Sequence, residues 1–64
     1  MTNVTITYVD GQVVKDQVKN IEIAQVYVDG IIKSHIEVGI LHEIKNITTH
    51  EGKTTHLSYP SEVK

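Results

Sequence analysis

Apolar and polar residues alternate from the first few positions of the chain. Val4, Ile6 and Tyr8 are separated by Thr5 and Thr7, the period-two pattern of a strand with one buried face. Asp10-Gly11 follows, and then a second β-prone run from Gln12 to Val18. Strand, Asp-Gly, strand is a strong short-range hairpin signal. A two-residue loop would set Tyr8 opposite Val13 and Ile6 opposite Lys15. A three-residue loop, Val9-Asp10-Gly11, sets Ile6 opposite Val14 and carries Val18 to the same face. The second arrangement is preferred, with Gly11 in the left-handed position of a G1 bulge.

Residues 21–28 predict a third strand, but its apolar phase changes along its length. Ile21 and Ile23 are odd, whereas Ala24, Val26 and Val28 are even, which implies two covered faces or a bulge near Ala24-Gln25. A second Tyr-Val-Asp-Gly, at 27–30, matches the one at 8–11 and predicts a second turn. Residues 31–38 then return as a strand with Ile32, Ile36 and Val38 on one face. Beyond Gly39, Ile40, Leu41, Ile44 and Ile47 fall at helical spacing with Ile36. Against a helix there stand the β-branched content and a third hairpin signal at Glu51-Gly52, so residues 41–49 are read as strand. A three-residue loop ending at Gly52 aligns Ile47, Thr55, Leu57 and Tyr59, and Pro60 ends the last strand.

The expected fold is therefore all-β: about six short antiparallel strands in three successive hairpins, closed as a small barrel or a two-layer meander. The alternative is α+β with a short helix around residues 39–47. Residues 1–60 form one small domain in this scheme, and residues 61–64 a polar C-terminal tail.

Composition narrows the function more than the fold. A chain of 64 residues buries only about 60% of its unfolded surface and is marginal alone. With no cysteine, neither disulfides nor thiolate metal sites can staple it. The net charge is -2 and every cationic side chain is Lys. Arg is the usual partner of phosphate and guanine, so no nucleic-acid partner is expected. No apolar run approaches the roughly 18 residues of a membrane span, and the first residues lack a signal-peptide pattern. The expectation is a cytoplasmic protein with no membrane partner.

Candidate chemistry is sparse. The histidines are His35, His42, His50 and His56. In a third hairpin His42 and His56 would share the more polar face, which makes them weak candidates for metal ligands, although no His spacing here is a zinc signature. Ser34-His35 and His56-Leu57-Ser58 carry the residue types of nucleophilic catalysis. Neighbours on a strand point apart, and no Gly-rich turn presents Ser58. Asp10 and Asp29 are read as turn residues. No enzyme activity and no cofactor are expected.

Surplus aliphatic surface remains. Val9, Val28 and Ile31 lie outside the face assigned to the core, next to Tyr8 and Tyr27, and tyrosine is a favoured interface residue. These five residues are the expected interface. The expected function is a non-enzymatic protein–protein interaction module, homodimeric or larger, acting as a small adaptor or inhibitor of a partner protein. The alternatives are a small-ligand binder with a pocket between subunits and a His-dependent metal binder.

Overall fold

In the computed structural model, residues 1–60 are described. The chain runs through strands β1 (Thr2–Tyr8) and β2 (Val13–Val18), helix α1 (Ile21–Glu37), a single 3-10 turn (Leu41–Glu43), and strands β3 (Ile44–Glu51) and β4 (Thr54–Tyr59). The four strands make one antiparallel sheet in the order β2-β1-β3-β4. The helix lies across one face of it, on β1, β3 and β2. The fold is α+β, which corrects the all-β expectation. The polar tail expected at 61–64 falls outside the described residues.

The largest correction is α1. Residues 21–28 and 31–38, read as two strands about a turn, are one helix and its C-cap. The changing apolar phase was the helical signal. Ala24 and Val28 are buried, and Ile21, Tyr27, Ile31 and Ile32 are half-buried and packed on the core. Those positions recur every three or four residues, as on one face of a helix.

Both helix ends carry local stop and start signals. The Asn20 side chain caps the N-terminus, accepting the Ile23 N–H at 2.9 Å, which satisfies one of the donors a helix leaves free. At the other end Gly39 takes φ +76. Its N–H donates to the Ile36 carbonyl (3.0 Å), and the Ile40 N–H reaches back to His35 (2.9 Å), the paired bonds of a Schellman stop. Gly39 thus closes the helix before it and does not open one after it. The alternative helix at 39–47 is likewise corrected: only Leu41–Glu43 coil, and β3 begins at Ile44.

The first hairpin has the three-residue loop. Ile6 faces Val14 and Thr2 faces Val18, the Gly11 N–H donates to the Tyr8 carbonyl at 3.0 Å, and Gly11 has φ +94. The last hairpin is tighter than expected. Glu51 pairs with Thr54, so only Gly52 and Lys53 form the loop. Gly52 at φ +59 followed by a residue without positive φ is the type II′ pattern. Leu57 consequently pairs with Thr48, and Ile47 with Tyr59 across a bulge that leaves Ser58 over.

The core forms where α1 meets the central strands. Val4, Ile6, Ile44 and Ile47 from the sheet meet Ala24 and Val28. A second bulge, which skips Lys45, returns Ile44 to register with Tyr8. Buried Thr2 donates to Glu51 Oε2 (3.1 Å), and buried Thr49 shares a 2.6 Å hydrogen bond with Ser58. Among the described residues no buried side-chain nitrogen or oxygen lacks a partner.

The repeated tetrapeptide now gives a test of opposite signs. Gly11 needs its left-handed backbone, whereas Gly30 sits inside α1 without a positive φ, and a Cβ at either meets nothing within 4 Å. Gly11→Ala should destabilise by about 1 kcal/mol or more. Gly30→Ala should stabilise by about 1 kcal/mol. Urea melts of the two variants, compared at equal slope, check both signs.

Candidate functional site

The residues singled out from the sequence do not converge on one site. Val28 lies in the core. Tyr8, Tyr27 and Ile31 are partly buried and packed against it, and Val9 is exposed beside the first turn. His42 stands on the 3-10 turn and His56 on β4, so they do not face each other across a hairpin. Among the described residues, no three His, Asp or Glu side chains gather as metal ligands would. None of the helices there is long and apolar enough to cross a membrane.

Tyr8 and His35 form a clamp between sheet and helix. His35 Nδ1 lies 2.7 Å from the Ile31 carbonyl, which can only accept, so Nδ1 carries the proton. In the neutral ring Nε2 is then the acceptor, and the Tyr8 hydroxyl donates to it at 3.1 Å. The rings stand 5.9 Å apart and tilted. The clamp ties the end of β1 to the last turn of α1, which is a structural duty for both residues.

Tyr27 lies on the flank of α1 towards β2. Burial, and then the nearby Asp16 carboxylate, raise its phenol above the ordinary range, because both oppose the phenolate.

The opposite flank of α1 is open. Ile21, Gln25 and Asp29 look across a cleft of about 300 Å³ towards Thr49, His56 and Ser58. The cleft exists because the sheet has a fourth strand at the margin of the helix's footprint. It collects the Ser, His and Asp types of a hydrolase, but the Ser58 hydroxyl is held by Thr49 rather than by His56. A wider, shallower hollow of about 540 Å³ lies over Asn3, Thr5, Lys15, Gln17 and His50 on the sheet.

The two sheet edges differ in chemistry. The Tyr8 N–H points to Gln12 of the first hairpin and the Val9 N–H to Glu43 on the β3 side, and backbone direction alternates along a strand. Through the pairing register, Val13, Lys15 and Gln17 on β2, and Thr55 and Leu57 on β4, turn their backbone groups outward. On β2 the Gln17 N–H is capped by Asp16 Oδ1 at 2.9 Å, and Lys15 adds a charge. These are devices that blunt an edge. On β4, Thr-Thr-His-Leu-Ser-Tyr, there is no Lys, Asp or Glu, and Leu57 is 47% exposed. Sequence reasoning placed a strand here but not its exposed edge, because edge position is set by strand order, which no local pattern encodes.

Two outcomes follow. Tyr8→Phe should cost about 1 kcal/mol by stranding the His35 acceptor, measured by denaturant melting. Tyr27 holds its proton more tightly when folded, so the linked stability is fully present below about pH 10 and is lost as pH rises further. Tyr27→Phe should remove that loss and delete a step above the ordinary tyrosine range from the absorbance titration.

Comparison with protein-family models, with curated proteins and with solved structures finds no match to this chain.

Proposed function

We propose that this chain is a non-enzymatic protein-interaction module, serving as a small adaptor or inhibitor, whose contact surface is the β4 margin. The observation that carries this is the asymmetry of the sheet edges. One edge is charged and capped by its own side chain, whereas the other is neutral, β-prone and bordered by an open cleft. Strand addition at an exposed edge supplies main-chain hydrogen bonds, and the neighbouring cleft receives alternate side chains. A small aliphatic core with few buried residues also gains stability from covering such a margin.

A second reading is favoured by the cleft itself. Asp29, Gln25, His56 and the Thr49–Ser58 hydroxyl pair border it together with apolar Ile21, a mixture that suits a small polar ligand. Its volume is at the low end for such sites, which places it second.

The two are separated by hydrogen exchange on the chain with and without extract of its host. Interaction through the margin should slow exchange at the Thr55 and Leu57 amides, and Leu57→Pro should abolish both the protection and co-purification of the partner. Protection confined to Gln25 and Asp29, retained in Leu57→Pro, would instead support the small ligand.

A further inference from the structure

We infer that the occupant of the β4 edge is a second copy of this chain, paired antiparallel about a two-fold axis at His56. This rests on the interaction role proposed above and names its partner. A two-fold axis normal to a continuous sheet keeps each side chain on its own face, so it pairs residues of like parity.

On β4 that condition is easily met. With the axis at His56, Thr55 of each copy lies opposite Leu57 of the other. Their outward N–H and C=O groups then exchange four bonds, which satisfies every outward group of those two residues. His56 meets its symmetry mate as a non-hydrogen-bonded pair, and Thr54 lies opposite Ser58. No like-charged Lys, Asp or Glu face each other, because β4 has none. An axis at Leu57 is poorer, since only Leu57 then exchanges bonds with its mate, and Thr55 lies opposite Tyr59, beyond the bulge at Ser58 where the outward direction of the backbone is lost.

On β2 the same operation is opposed. The central axes of Val13–Val18 pass through Lys15 or Asp16 and set either Lys15 against Lys15 or Asp16 against Asp16. Like charges directly opposite are destabilising, and the Asp16 cap on Gln17 must also be broken. An axis at Val14 avoids like charges but sets Lys15 opposite Val13, so every central register of β2 places Lys15 or Asp16 in the seam, whereas β4 brings no Lys, Asp or Glu to it. Joined through β4, two sheets become one of eight strands with both helices on one face. The two α1–β4 clefts then meet at the axis, each lined by its own Asp29 and His56.

Single-cysteine variants test the register, because the chain has no cysteine. Opposed residues in a non-hydrogen-bonded pair lie about 4.5 Å apart at Cα, within disulfide reach. His56→Cys should oxidise to a linked dimer under mild oxidant, whereas Lys15→Cys should not. By light scattering at tens of micromolar the wild type should run at twice the chain mass, and Leu57→Pro should run as a monomer with an unchanged circular dichroism spectrum. Should Leu57→Pro fail to fold, Leu57→Lys, which leaves the backbone donors in place, should lose the dimer mass instead. A monomeric wild type would overturn the inference, as would a dimer that persists in Leu57→Lys without cross-linking in His56→Cys. A monomer whose Thr55 and Leu57 amides become protected by a foreign protein would overturn only the second copy and leave the interaction role standing.

Discussion

The contact of Ala24 and Val28 with Val4, Ile6 and Ile47 is the constraint on which the rest of the molecule depends. Among the described residues it is where helix and sheet are both buried. Ala24, without a bulky side chain, packs α1 over β1 and β3, the two central strands of the sheet. Once they are central, β2 and β4 are edges. A helix of one width cannot cover four strands, and the strip left uncovered along β4 is the cleft. Site and edge are both consequences of where a short helix places its narrow apolar stripe.

The polar contacts around this core orient it rather than drive it. Tyr8, His35 and the Ile31 carbonyl form a short chain of hydrogen bonds that fixes one imidazole tautomer. Asn20 and Gly39 set the helix length. The Thr49–Ser58 bond satisfies the buried Thr49 hydroxyl on the β4 side, while the backbone groups of Thr55 and Leu57 turn away from the sheet. Stability and availability for partners are therefore supplied by different atoms of the same strands.

Legibility in the sequence follows how local each signal is. Alternation in Val4, Ile6 and Tyr8 marked β1, and the three-residue loop with Gly11 at positive φ followed from the match of Ile6 to Val14. The same Tyr-Val-Asp-Gly at 27–30 misled, because four residues that turn after a strand continue a helix when Asn20 has capped one ahead of them. Gly39 was visible but read for the wrong neighbour. The interface residues taken from the sequence include Val28, which the core buries, whereas Leu57 and Thr55 carry no motif.

The sequence by itself determined the strands at either end, the first turn, and the absence of any thiol. These depend on residues a few positions apart and on composition. Only the tertiary structure decided that residues 21–37 are helical and that β4 is an open edge. The β-branched run of α1 is compatible with either backbone, and the side of the sheet that needs an apolar cover selects the helix. An edge is likewise a property of strand order, set by which elements bury their faces together and not by the residues of the edge strand itself.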